Sequence, residues 1–240
     1  MRSIDVAASG ICAALYAGIG YLTYLGIFTP VIGVVRFWPA VIIPGIFSVI
    51  FGPLVAAIGA AIGIFISDML IHGNALLSIT VGVPANFIAF YIMGKIAKYK
   101  LSASRSIAST GLYSVTLLAI DLALHYNGFI NEEVSMIFIA TIVITFILLV
   151  VMSQIYKEWI SYCIASYIGL LVGSAIIGIG VWGFSQLFVL PSGDVNLPLV
   201  AAVIWFIWVF STEIPFLIIL GPPILRLIYR VMPYLTEISH

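Results

Sequence analysis

Charged residues are scarce in this chain: lysine, arginine, aspartate and glutamate together make up only 8% of its 240 residues. A soluble domain of this length could not bury the 63% of residues that are hydrophobic. The 9 basic and 9 acidic residues balance, so the sequence has no positive excess for binding nucleic acid. With a mean hydropathy of +1.27, the composition predicts an integral membrane protein.

Cysteine and the common catalytic motifs are equally scarce. Cys12 and Cys163 stand alone in apolar runs, with no cysteine or histidine at metal-ligand spacing, so we expect no disulfide, metal or cofactor. The chain lacks the GxxxxGK[S/T], HExxH and GxSxG motifs, which excludes nucleotide hydrolysis by this chain alone. Only Asp121 and Glu213 are ionisable deep within the spans, so we expect no enzyme and no catalytic residues.

The apolar runs predict an all-α fold, a polytopic membrane bundle of six to eight transmembrane segments, in a single domain over residues 1–240. Some segments are short or interrupted by proline and glycine. Within residues 34–70 we expect two short segments hinged at Gly52-Pro53, because each proline removes a backbone donor. The other runs lie near residues 4–28, 76–97, 107–124, 134–154, 159–193 and 199–221.

The loops alternate in charge when the runs are counted as eight segments. One set carries Arg2, Lys95, Lys98, Lys100, Arg105, Lys157, Arg226 and Arg230, and the other set carries only Arg36. Cytoplasmic loops of membrane proteins carry the excess of lysine and arginine. We therefore expect a multi-pass protein of the cell membrane with both termini cytoplasmic.

The first span carries two adjacent ladders of small residues at four-residue spacing: Ser9, Ala13 and Ala17, and beside them Gly10, Ala14 and Gly18. Small residues let helices approach closely in a membrane. The ladders are explained either by packing within the chain or by a docking surface for a separate subunit. The second explanation would place Ser9, Ala13 and Ala17 at an interface with that subunit.

Two Asp-x-x-x-His pairs, Asp68 with His72 and Asp121 with His125, place a carboxylate and an imidazole on one helix face. Because ionisable residues in spans are costly and often mark sites, we expect both pairs to line one outward polar pocket. The alternative is that each aspartate only orients its histidine. Arg36 would face an anionic group on a solute or extend to lipid headgroups. Trp205 would stack on a ring or lie in the membrane interface.

The first hundred residues resemble the substrate-binding (S) components of energy-coupling factor transporters, which import micronutrients into prokaryotes. The first-helix ladder carries this resemblance together with the strings Val35-Arg36-Phe37-Trp38-Pro39, Phe51-Gly52-Pro53-Leu54 and Gly82-Val83-Pro84-Ala85-Asn86-Phe87, and with Gly59, Gly63, Asp68 and Gly94. On this basis we expect residues 1–98 to be a family-like docking half and residues 99–240 a divergent half. The family usually has six helices, whereas this chain has room for eight.

The resemblance implies a membrane-embedded, solute-binding subunit of an ATP-driven micronutrient importer. Its partners would be membrane lipid, a transmembrane coupling subunit, which docks near Ala13 and Ala17, and two ATPase subunits. The solute would be a vitamin, a vitamin precursor or a modified base, bound from the outer side near Arg36. One alternative is an accessory or structural subunit of a larger membrane complex without its own ligand. Another, a small membrane enzyme acting on lipid, is disfavoured by the sparse polar content.

Overall fold

The structure, a computed structural model, describes residues 1–26, 31–32, 35–36, 38–233 and 235. These residues form ten α-helices: α1 (Ser3–Gly26), α2 (Ile42–Ile50), α3 (Pro53–Ile71), α4 (Ala75–Leu77), α5 (Val83–Ala97), α6 (Ala103–Tyr126), α7 (Glu132–Ile155), α8 (Ile160–Leu187), α9 (Val200–Pro215) and α10 (Gly221–Val231). The other elements are two antiparallel strands, β1 (Val31–Ile32) and β2 (Val35–Arg36), the 3₁₀ turns Pro39–Val41 and Lys157–Trp159, and the π-helical turns Ser78–Gly82 and Phe216–Leu220.

Seven helical stretches in the described part of the chain are long and apolar enough to cross a membrane: Ser3–Leu25, Pro53–Ile71, Ala75–Ala97, Ile107–Tyr126, Glu132–Ile155, Lys157–Leu187 and Val200–Val231. A further apolar helical stretch, Pro39–Ile50, is shorter. At 1.5 Å per residue it extends about 18 Å, against about 30 Å for the hydrocarbon core. The predicted all-α, multi-pass membrane bundle is confirmed.

The chain reverses direction at Gly52, where φ is 94°, a left-handed conformation that glycine adopts without steric cost. Pro53 then begins α3, a position where its missing N–H costs nothing. The predicted hinge at Gly52-Pro53 is therefore confirmed. The two segments differ in length, however, because α3 has 19 residues and is long enough to span, whereas α2 has 9.

Contacts between helix ends show which ends of the helices lie together. Gly94 near the end of α5 lies against Pro53 at the start of α3. The backbone N–H of Leu101 donates to the Ser161 hydroxyl at 3.2 Å. Arg226 donates through Nε to Glu158 Oε1 at 2.7 Å. We call the end of the bundle where these three contacts lie the basic end. The basic residues near it are Lys95, Lys98, Lys100, Lys157 and Arg226.

Helix α1 runs parallel to α3, because Gly59 lies against Cys12 and Gly63 lies against Tyr16. The start of α1 is thus at the basic end, as is the end of α10. The loops at the opposite end contain His72, His125, Glu132, Glu133 and Asp194, and we call this the acidic end. The segregation of charge that the loop pattern predicts is therefore present in the fold.

Helices from both halves of the sequence share one core. Helix α8 packs closely on α5, since an added Cβ at Gly169 would lie 2.6 Å from the Ala89 carbonyl oxygen and one at Gly173 would lie 2.8 Å from the Ala89 Cβ. The main cluster of buried apolar side chains draws on α1 to α3 and α5 as well as on α7 to α10. Helix α6 is peripheral, and most of its surface is exposed.

The packing of α1 corrects the expected subunit interface at Ser9, Ala13 and Ala17. These side chains are buried within the chain, and an added Cβ at Gly63 of α3 would lie 2.9 Å from the Ala13 carbonyl oxygen. Small residues on both helices allow this close approach, which leaves no free surface there. The other ladder, Gly10, Ala14 and Gly18, is the exposed one.

Candidate functional site

A pocket lies between α1, α3, α5, α8 and α9, and it extends from the middle of the bundle towards the acidic end. Its cavity volume is about 100 Å³. Aliphatic and aromatic side chains form most of its wall. The polar side chains that line it are Tyr16, Trp38, Asp68, His72, Asn86, Ser174 and Glu213.

Prolines interrupt two of the helices that form the wall. A π-helical turn at Ser78–Gly82 precedes Pro84, and another at Phe216–Leu220 precedes Pro222. Proline cannot donate to the carbonyl four residues earlier and its ring crowds that carbonyl, so the helix widens there. Such π turns occur often at functional sites. Here they flank the segments that carry Asn86 and Glu213.

Asp68 lies near the acidic end of the pocket, and Ser78 and His72 are among its partners. The Ser78 hydroxyl donates to Asp68 Oδ2 at 2.7 Å, and His72 Nε2 lies 3.3 Å from Asp68 Oδ1. The backbone N–H of Asn74 donates to His72 Nδ1 at 3.1 Å. An Nδ1 that accepts a hydrogen bond carries no proton, so the ring is neutral and its proton is on Nε2, facing Asp68. His72 therefore brings no positive charge to the pocket.

Close approach of α5 to α3 brings Asp68 against the helix backbone. An added Cβ at Gly82 would lie 2.9 Å from Asp68 Oδ2, closer than normal van der Waals contact allows. Only glycine at this position leaves room for the carboxylate in its observed place. The glycine in the Gly82-Val83-Pro84 string thus has a direct steric role at the site.

Asn86 connects α5 to the aromatic wall of the pocket. The Tyr16 hydroxyl donates to Asn86 Oδ1 at 2.6 Å, and Asn86 Nδ2 donates to the Gly82 carbonyl at 2.9 Å. The Tyr16 ring packs edge-on against Trp38 and Phe90, with centroid distances of 6.0 Å and 6.3 Å. These hydrogen bonds and ring contacts hold Tyr16 in one orientation beside the cavity.

Glu213 on α9 and Ser174 on α8 complete the polar lining. The Glu213 side chain is 7% exposed and Ser174 is fully buried. Among the residues that the structure describes, none pairs with the Ser174 hydroxyl, and none gives the Glu213 carboxylate a hydrogen bond or an ion pair. Buried polar groups are almost always hydrogen-bonded. Two such groups therefore lie without a described partner on the wall of the same cavity.

The structure separates the two Asp-x-x-x-His pairs that were expected to share a pocket. Asp68 and His72 line it, whereas Asp121 and His125 do not. Asp121 is buried between α6 and α7, where it accepts a hydrogen bond from the Ser135 hydroxyl at 2.6 Å. His125 Nδ1 lies 3.3 Å from the Ile130 carbonyl oxygen. The Asp121–Ser135 hydrogen bond therefore joins peripheral α6 to α7, and neither residue of the second pair lines the cavity.

Two further predicted residues have other positions. Trp205 is buried in a separate apolar cluster with Leu77 and Val81, so its ring lies behind the pocket wall and outside the lining. The prediction for the Arg36 side chain lies outside the described residues; its backbone belongs to β2, which packs against α9.

Sequence reasoning left several pocket residues unassigned. Glu213 and Asn86 had a usable signal, since each is a polar side chain inside an apolar run. Tyr16 and Trp38 had none, because aromatic residues are common throughout membrane helices. Their role follows only from the packing of α1 and the 3₁₀ turn at Pro39–Val41 around α5.

No group of three or more histidine, cysteine, aspartate or glutamate side chains in the described part of the chain is arranged to hold a metal ion. In comparisons with known proteins, no protein-family model, curated protein or solved structure matches this chain. A functional conclusion therefore rests on the pocket itself and on the sequence pattern.

Proposed function

We propose that this chain is the membrane-embedded, solute-binding subunit of an importer. The observation that carries the proposal is the pocket between α3, α5, α8 and α9, which combines a largely apolar wall with the carboxylates of Asp68 and Glu213. Polar groups that converge in an apolar cavity are characteristic of small-molecule sites. Keeping ionisable groups inside a membrane protein costs free energy. Binding of a ligand to these groups would explain why the chain retains them.

The distribution of charge supports uptake from outside as the direction of transport. If the basic end lies in the cytoplasm, as positively charged loops do, both ends of the described chain are cytoplasmic and the pocket extends towards the outside. A solute would then enter past His72 and Leu77, which line the pocket near the acidic end. This orientation suits capture from outside the cell membrane.

The resemblance to S components supports an ATP-driven complex. The partners would be a transmembrane coupling subunit and two ATPase subunits, and the solute a vitamin, a vitamin precursor or a modified base. Because Ser9, Ala13 and Ala17 are buried, the surface of α1 available for a coupling subunit is Gly10, Ala14 and Gly18. An added Cβ at Gly10 or Gly18 would meet no atom within 4 Å.

A large side chain placed in the pocket tests whether the solute binds there. Ile177 lines the cavity on α8, and Ile179 on the same helix is 63% exposed and lies outside it. We expect Ile177→Trp to reduce at least tenfold the amount of small molecule that co-purifies with the protein, measured by mass spectrometry after extraction. The matched variant Ile179→Trp should retain it. Equal retention in the two variants would place the ligand elsewhere and contradict the proposal.

The coupling surface is tested with a second matched pair. Ala14→Trp introduces a large ring on the exposed small-residue ladder, whereas Leu22→Trp changes a residue of α1 that is already large and 66% exposed. We expect both variants to bind the co-purified solute, and only Ala14→Trp to lose its uptake by cells. Normal uptake with Ala14→Trp would show that this ladder is not the docking surface.

A further inference from the structure

The charges around the pocket are unequal. Its described ionisable side chains are Asp68, Glu213 and His72, and the hydrogen bond that His72 Nδ1 accepts leaves that ring neutral. No described lysine or arginine lines the cavity. An anionic solute would therefore meet a carboxylate and no described cation at Glu213, whereas a cation would be attracted by that carboxylate.

Glu213 is the group that most needs a partner. Asp68 already accepts hydrogen bonds from Ser78 and His72, whereas Glu213 has no hydrogen bond or ion pair among the described residues although it is 93% buried. A carboxylate removed from water without a counter-ion is strongly unfavourable. The Ser174 hydroxyl on the facing helix α8 also lacks a partner there. One ligand with several N–H groups would satisfy both.

The remaining wall favours a flat ring. Tyr16, Trp38 and Phe90 line the same cavity, and Tyr16 packs edge-on against the other two rings. The negatively polarised faces of aromatic rings attract cations, and their flat surfaces stack on planar groups. A ligand that combines a ring with a positively charged nitrogen would use both features.

We propose that the pocket takes a small organic cation with a planar ring, whose charged N–H group binds Glu213 and whose ring packs against Tyr16, Trp38 and Phe90. This inference rests on the proposed function and specifies its substrate class. It predicts that carboxylate and phosphate solutes bind more weakly than such a cation.

The test uses three probes of the same shape and different charge: benzamidinium, benzamide and benzoate. We expect benzamidinium to raise the melting temperature of the purified protein and to bind at least tenfold more tightly than benzamide, with benzoate weakest. Glu213→Gln should weaken benzamidinium binding at least tenfold and leave benzamide binding unchanged. Glu133→Gln, a matched change on the exposed surface of the acidic end, should alter neither.

Three results would overturn the inference. If benzoate or benzamide binds as tightly as benzamidinium, the charge assignment is wrong, while the proposed function stands as long as Ile177→Trp still removes the solute that co-purifies. If none of the probes binds, the ring-cation site is wrong, again independently of that co-purified solute. If benzamidinium binds equally well to the Glu213→Gln variant, the carboxylate is not its partner.

A stability measurement separates a ligand-binding role of Glu213 from a structural one. The backbone of strand β2, which contains Arg36, packs against α9, so Arg36→Gln is the variant to compare with Glu213→Gln. The proposal expects Glu213→Gln to leave the melting temperature of the ligand-free protein unchanged or raise it. If Glu213→Gln and Arg36→Gln lower it equally, and the double variant is no less stable than either, the two residues form an internal ion pair and the inference fails.

Discussion

Substitution of Gly63 on α3 tests the packing that forms one side of the pocket. An added Cβ would lie 2.9 Å from the Ala13 carbonyl oxygen, 2.9 Å from Tyr16 Cδ1 and 3.1 Å from Tyr16 Cβ. Ordinary contacts of this kind are about 3.5–4.0 Å, so α1 must move by about 0.5–1 Å. The backbone carbonyl cannot rotate away, and the Tyr16 ring is held by Asn86.

The loss of folding stability that overpacking causes can be separated from the effect of helix propensity by a matched control variant. Gly63→Ala and Gly18→Ala both gain up to about 1 kcal/mol of helix propensity, but an added Cβ at Gly18 meets no atom within 4 Å. Overpacking of a tight interface costs about 1–3 kcal/mol. The difference between the two variants should therefore be about 1–3 kcal/mol, with Gly63→Ala the less stable.

The measurement is the free energy of unfolding, or the melting temperature, of both purified variants in the same detergent. At about 2–4 °C per kcal/mol for a chain of this size, the two melting temperatures should differ by several degrees. Because Tyr16 lines the pocket, Gly63→Ala should also weaken binding of the co-purified solute. If Gly63→Ala is as stable as Gly18→Ala, α1 does not pack on α3 in the observed register.

Three further predictions concern the hydrogen bonds and the topology. Asn86→Leu leaves the Tyr16 hydroxyl without its acceptor, and should reduce the free energy of unfolding by about 1–3 kcal/mol; a neutral result would contradict this bond. Because both native cysteines are buried, a membrane-impermeant thiol reagent should label Asn127→Cys in intact cells and Lys100→Cys only after permeabilisation. The reverse labelling would invert the topology. Asp121→Asn should change stability but not solute affinity, since Asp121 bonds Ser135 away from the pocket; weaker binding would contradict its position.

The membrane class, the number of helical segments and the segregation of charge were all predictable from local pattern. A run of about 20 apolar residues in lipid is expected to form a helix, because a helix pairs its backbone N–H and C=O groups within one segment. The hinge at Gly52-Pro53 follows from two residues that are adjacent in sequence. The π turn before Pro84 was not predicted, although Pro84 itself marked an interruption. Two pocket residues, Glu213 and Asn86, were visible as polar exceptions in apolar runs, but nothing in the sequence connected them to Tyr16 on α1.

The sequence by itself determined that the chain is a membrane helical bundle, since this depends on hydrophobicity and length alone. Where two features share the same sequence pattern, only the tertiary structure decided which of them packs against another helix or lines the pocket. Ser9, Ala13 and Ala17 have the same spacing as Gly10, Ala14 and Gly18, yet only the first ladder packs against α3. The Asp-x-x-x-His pair on α3 lines the pocket, whereas the pair on α6 lies at the periphery. Spacing sets which residues share a helix face, but the packing of distant helices sets what each face meets.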